Sequence, residues 1–304
     1  MHNEQELALQ AFIDKHVSEV SEKYKSACLT YFTATNSGKD EDYKLASETQ
    51  LEREKTYTNK EDFQQIQNFR SADIHDPLLQ RQLEILFLSY QSRQIDEKKL
   101  EEMIQLQSKI ENAFATFRAK IGEKEYTDNQ IEDMLSTATD SEEVKNAWSA
   151  SKTIGNIVAP DVIQIIKMRN TIAQSLGYPN YHTMSLQLDE QDPEEISRIF
   201  DELDELTRNA FVKEKEKIDE YLSKKFSLDK ELLRPWHYQN RYFQEAPKIY
   251  SVDIDSYYKD QDIVELSRAY YASLSLSVDS ILEMSDLYER PGKYQHAYCS
   301  SDRL

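Results

Sequence analysis

Apolar residues recur at helical spacing from the start of the chain. Leu7, Leu9, Phe12, Ile13, Val17 and Val20, continuing through Tyr24 and Leu29, predict an amphipathic helix to about Tyr31. Asn36-Ser37-Gly38 reads as its stop. A very polar helix follows over about 41–55, and a third over about 60–69. Asp76-Pro77 opens a fourth, because aspartate accepts from free backbone N–H groups and proline is preset for a first turn; it carries Leu78, Leu79, Leu83, Ile85, Leu86 and Leu88. Leu100, Met103, Ile104, Leu106, Ile110, Phe114 and Phe117 share a stripe and predict a long helix over 100–121, with Gly122 as its end. Thr127 and Gln130 form a capping-box pair for a short helix through Leu135. Ser141 and two acids open a helix ending at Gly155, and another runs from Asp161 to Leu176, closed by Gly177.

The clearest element starts at Asp192-Pro193-Glu194-Glu195. Ile196, Ile199, Phe200, Leu203, Leu206, Ala210, Phe211, Ile218 and Leu222 then sustain one apolar face. After Pro235 the chain turns aromatic and irregular, followed by shorter helices near 262–274 and 278–287. Tyr294 to Cys299 is the best strand candidate. Neither an internal repeat nor a Gly/Ser- or Pro-rich linker marks a boundary, so residues 1–304 read as one mostly helical body.

Composition agrees with helices. Five glycines and seven prolines in 304 residues are few for a turn-rich β protein. A formal net charge of −19 argues against nucleic acid and anionic membrane surfaces as partners. The strongest apolar run, Leu83 to Leu88, is too short to span a bilayer. No signal-peptide core follows the N-terminus, so the expected location is cytoplasmic. Cys28 and Cys299 form neither a disulfide framework nor a metal-ligand spacing.

Chemistry is sparse. None of the six histidines begins a His-Glu-x-x-His, and no phosphate-binding glycine loop or G-x-S-x-G elbow exists. The pairs Asp201-Glu202 and Asp204-Glu205 read as a solvated helix face. His237 and His182 read as packing or helix-start residues, and Trp148, Trp236, Tyr178 and Tyr181 as anchors.

Several ordered stretches resemble a known family. Lys167-Met168-Arg169-Asn170-Thr171-Ile172-Ala173, followed by Leu176-Gly177-Tyr178-Pro179-Asn180-Tyr181, is similar to a pattern of the helical gluzincin peptidases: the angiotensin-converting-enzyme-like and oligoendopeptidase F groups. Leu233-Arg234-Pro235-Trp236-His237-Tyr238 and Phe243-Gln244-Glu245-Ala246-Pro247 resemble the bacterial angiotensin-converting-enzyme-like branch. Ser285-Asp286-Leu287-Tyr288-Glu289-Arg290, Lys293 and Gln295-His296-Ala297-Tyr298-Cys299 continue in the expected order.

The resemblance implies a mainly α, incomplete helical gluzincin-peptidase lobe, with at most a short β-strand pair near the C-terminus. Residues 1–92 would supply lid helices, and residues 93–304 channel-wall helices and a C-terminal substrate strand. The complete enzyme would use zinc to hydrolyse short peptides, releasing C-terminal dipeptides. His296 would hydrogen-bond a substrate carbonyl, and the backbone at Ala297 would pair with the peptide. Taken alone, His296 reads rather as a strand histidine satisfied locally, and only the family pattern turns it toward substrate binding.

The zinc helix and third ligand would lie beyond Leu304, so the chain is expected to bind no metal, to have no catalytic residue of its own, and to need a C-terminal half. Two alternatives stand beside this. One is an oligoendopeptidase F-like peptidase, whose pattern more often has Gly where His296 stands. The other is a non-catalytic helical protein binding a peptide or a partner.

Overall fold

A computed structural model describes residues 3–250 and 252–301. In chain order the elements are α1 (Glu4–Ser37), α2 (Asp40–Thr56), α3 (Lys60–Arg70), α4 (Pro77–Gln91), α5 (Glu97–Thr116), β1 (Ala119–Ile121), β2 (Lys124–Tyr126), α6 (Asp128–Thr137), α7 (Ser141–Lys152), α8 (Ile154–Ser175), α9 (Tyr181–Leu188), α10 (Pro193–Phe226), α11 (Asp255–Tyr258), α12 (Ile263–Ser273) and α13 (Asp279–Met284). The fold is mainly α. None of the helices among the described residues is long and apolar enough to cross a membrane.

Local side chains begin these helices as the sequence predicts. Asp76 accepts from the N–H groups of Leu78 and Leu79, Thr127 and Gln130 close a capping box on α6, and Asp192 accepts from Glu194 and Glu195 at 2.9 Å each. Gly38 ends α1 in the left-handed region at φ 69°, donating to Ala34.

Two compact units emerge. One holds the chain through residue 118, residues 152–209, and the segment from Pro291; the other holds residues 119–151 and 210–290. In the first unit α1 packs along α2 and α4, α3 on α4, α2 on α5, and α8 on α5 and α9. Its core joins Leu9 and Ile13 of α1 to Ile66 of α3 and Leu79, Leu83 and Tyr90 of α4. Glu6 fastens the start of α1 to the α3–α4 link. Its carboxylate, 4% exposed, accepts from Asn3 N at 2.9 Å, His75 N at 2.8 Å and Asp76 N at 2.9 Å. A buried carboxylate is tolerated here because backbone donors replace its water.

The second unit closes around Arg241, which reaches Asp128 and Glu132 of α6 at 2.7 Å each. Trp148 of α7 lies against Trp236, ring centroids 6.2 Å apart. None of the described residues of α12 or α13 is buried.

Four expectations need correction. The helix predicted over 100–121 stops at Thr116, because Phe117 leaves the helical region at ψ 140°. Residues 119–121 instead form β1, paired antiparallel with β2 around Gly122 at φ 61°, and Lys120 and Glu125 form an ion pair at 3.0 Å across the hairpin. Secondly, the break between α7 and α8 falls at Thr153, not between Gly155 and Asp161. Pro160 lies inside α8, as its seventh residue, and supplies no N–H to the Asn156 carbonyl.

Thirdly, the strand expected at Tyr294–Cys299, and with it the C-terminal β pair, is absent: 294–300 carry no strand, and the β pair lies at 119–126. A strand needs a sheet edge. This segment meets the end of a helix, where Tyr294 N donates to the Thr35 carbonyl at 2.8 Å. Lastly, most of the apolar face of α10 is bare. Every residue from 197 to 214 is exposed, including Phe200 at 66% and Leu206 at 79%, and only Leu222 and Phe226 are buried. Amphipathic spacing reports a face that can be buried, not one that is.

Candidate functional site

The C-terminal segment is seated by tyrosines. Gly292 and Gly38 touch backbone to backbone, a contact that a Cβ on Gly38 would block. Beyond that contact, the Tyr298 hydroxyl and the Thr35 hydroxyl lie 2.6 Å apart, and the rings of Tyr298 and Tyr31 meet tilted at 60°, with centroids 5.8 Å apart. Gln295 Nε2 donates to Phe117 O at 3.4 Å. Burial first, and then Glu111 with the neighbouring tyrosines, pushes the Tyr31 hydroxyl up to about 12, so it stays protonated as a donor. Burial likewise raises Tyr294 and Tyr298.

Between these anchors His296 and Ala297 are exposed. The imidazole lies almost parallel to Phe114, at 6.0 Å and 16°, and beside Tyr294 at 5.5 Å. Among the described residues, neither its ring nitrogens nor the backbone of Ala297 has a hydrogen-bond partner. A donor and an unpaired stretch of backbone therefore face outward from a held segment.

The other described histidines sit apart. His16 is in the core, its Nδ1 3.1 Å from the Tyr90 hydroxyl, and burial holds its pKa below the usual value. His237 lies 2.8 Å from Ser141 Oγ, a pairing that resembles an activated nucleophile. The tautomer argues otherwise. His237 Nδ1 accepts from Arg234 N at 2.8 Å, so Nε2 carries the proton and donates to Ser141. A ring held that way cannot take the serine proton, and its role is to pin the start of α7. His182 is exposed, and His75 pairs with Asp73 at 3.1 Å on the surface.

A cavity of about 630 Å³ lies within the first unit, lined by α2, α4, α5, α8, α9 and the α4–α5 link. Glu54, buried at its edge, pairs with Arg53 and with Arg93 at 2.7 Å. Burial pushes its carboxyl up, yet the Arg93 and Arg53 guanidiniums prevail and hold it below the ordinary range. On the opposite side, the Arg169 guanidinium lies 5.1 Å from the Tyr181 ring centre, and its Nη2 donates to Gln107 Oε1 at 3.2 Å.

The Arg-Asn…Asn-Tyr pattern builds this corner. Asn170 Oδ1 accepts from Tyr181 N at 2.9 Å, Asn180 caps α9 by accepting from Thr183 N at 2.8 Å, and Gly177 turns the link at φ 90°. Periodicity does not single out the adjacent Arg53 and Glu54 of α2, or Arg93 of the α4–α5 link, which joins them from a separate part of the sequence. The visible signal for the cavity was Arg169 and Tyr181 within one motif.

The chain matches the Peptidase M2 family, angiotensin-converting enzyme, over residues 3–281. The chain belongs to the angiotensin-converting-enzyme family of peptidases. Among solved structures it is similar to a Bacillus anthracis str. Ames protein described as an oligoendopeptidase F, with a TM-score of 0.61 and 16% identity. That likeness covers 91% of this chain and 51% of the other, so the chain spans about half the length of that structure. At such identity it speaks for the fold alone. Among curated proteins no match is found.

Peptidases of this family imply zinc, and the residues present do not fit it. Among the described residues, no three His, Cys, Asp or Glu side chains converge as a metal site. The fold is that of the peptidase superfamily, and among the described residues it carries no obvious metal-binding site.

Proposed function

We propose that this chain supplies the metal-free wall of a zinc-dependent oligopeptidase of the peptidyl-dipeptidase kind, and that it does not hydrolyse peptides by itself. His296 donates to a carbonyl of the bound peptide, and the backbone at Ala297 pairs with the peptide as an added strand. The observation that carries this is the held C-terminal segment: Tyr294 and Tyr298 are fixed on α1, while His296 and Ala297 between them are exposed and unpaired among the described residues. The bare stripe of α10 adds support, since an amphipathic face of that length belongs against another structure. A non-catalytic peptide-binding role is the second reading, in keeping with the lack of a convergent donor set among the described residues.

The test uses the intact chain. A benzophenone-bearing pentapeptide should label the segment around His296 on irradiation, and His296→Ala should reduce that labelling. Metal analysis should find no stoichiometric zinc, and a quenched peptide should not be cleaved in a chelator-sensitive way. Labelling elsewhere only would sink the assignment of His296, and chelator-sensitive turnover would sink the claim of inactivity.

A further inference from the structure

We infer that the cavity beside Arg169 is a binding site for a small monocarboxylate carrying an apolar tail. The charge pattern points to one negative group. Glu54 is matched by two arginines, Arg53 and Arg93. Glu190, at the mouth, is held by Arg81, with Arg81 Nη2 to Glu190 Oε2 at 2.6 Å. Arg169 alone of the lining arginines has no carboxylate: its partners among the described residues are an amide oxygen and an aromatic ring. These hold the guanidinium in place without neutralising it, because Gln107 is itself tied to Glu111 through Nε2 at 2.9 Å. The remaining N–H groups of the planar fork suit a carboxylate.

The rest of the cavity sets the tail. Leu88, Leu100, Met103, Ile172 and Met184 line it, an apolar floor that rewards burial of a hydrocarbon group. The volume, about 630 Å³, admits a molecule of the size of an acylated amino acid. A second negative charge would meet Asp189 and Glu190, which also line the cavity. A dianion such as phosphate is therefore disfavoured. The C-terminus of a short peptide and a medium-chain fatty acid share the required chemistry. The site needs neither a metal nor a catalytic step, so it stands or falls apart from the peptidase proposal.

Calorimetric titration of the intact chain tests it with N-acetyl-leucine, octanoate, N-acetyl-leucinamide and inorganic phosphate. At least one of the two carboxylates should bind, at least about tenfold tighter than both the neutral amide and phosphate. Preference for N-acetyl-leucine identifies a peptide C-terminus as the source, and preference for octanoate a fatty acid; either supports the site. Arg169→Gln should abolish binding and Arg169→Lys restore part of it. Leu88→Trp, which leaves the guanidinium in place but fills the floor, should also abolish it. Equal binding of acid and amide, no binding of either carboxylate, or unchanged binding to Arg169→Gln would overturn the inference. The acid–amide comparison needs no variant, so a folding defect in Arg169→Gln does not blunt the test.

Discussion

Replacing Gly38 by alanine should loosen the segment that carries His296, and the cost can be separated into two parts. Gly38 stands at φ 69°, where an L-residue is strained by about 1–2 kcal/mol. Its added Cβ would also run into the Gly292 carbonyl, which is backbone and cannot rotate away. Relief requires the segment to lift, which breaks the Tyr294–Thr35 backbone bond and the Tyr298–Thr35 hydroxyl pair. Each is worth about 0.5–1.5 kcal/mol, a further ~1–3 kcal/mol in total. Gly122 is the matched control: its φ is 61°, yet a Cβ there meets nothing within 4 Å. Gly122→Ala should therefore show only the backbone part, about 1–2 kcal/mol. Urea denaturation compares the two, and amide hydrogen exchange at Tyr294 reports the docking directly. Equal costs for both variants, with Tyr294 protection unchanged in Gly38→Ala, would refute the seating of the segment on α1.

Glu6→Ala leaves the N–H groups of His75 and Asp76 without their acceptor and should cost about 2–4 kcal/mol, whereas exposed Glu4→Ala should cost a few tenths at most; a thermal melt of Glu6→Ala matching the parent would contradict the clasp. Burial holds the pKa of His16 and His237 below the usual 6.5, so the unfolded chain binds more protons below that pH. Stability should fall as pH drops from about 6.5 through their folded pKa values, and a His16→Asn, His237→Gln pair should flatten that limb of the urea midpoint–pH curve. Glu54, held low by its arginines, adds a second loss as pH falls below its ordinary 4.5, which Glu54→Gln should remove. Leu206→Glu on bare α10 should shift stability by no more than about 0.5 kcal/mol, and a loss above about 1 kcal/mol would mean that the stripe is packed.

The start of each helix was legible because its cause is local. Asp76, Thr127 and Asp192 each satisfy backbone N–H groups two or three residues away, and no distant part of the chain can alter that arithmetic. The helical class and the family pattern were legible for related reasons: apolar spacing and ordered motifs survive in one dimension. Three things were not. Gly122 reads the same as a helix stop or a hairpin turn, and the choice rested on Phe117 leaving the helix before it. The stripe of α10 predicts burial, but what covers a face is not written in that face. His296 looked like part of a strand, yet a strand exists only where another backbone offers an edge, and here Thr35 offered the end of a helix.

The sequence by itself determined where helices begin, the class, the family resemblance, and the lack of a His-Glu-x-x-His motif. Only the tertiary structure decided that Glu6 meets His75, that Arg93 meets Glu54, that Gly292 rests on Gly38, and that Arg169 faces a cavity with no carboxylate of its own. The physical reason is range. Caps and periodicities act within a few residues, whereas a charge's partner and a segment's seat depend on packing among helices far apart in the chain.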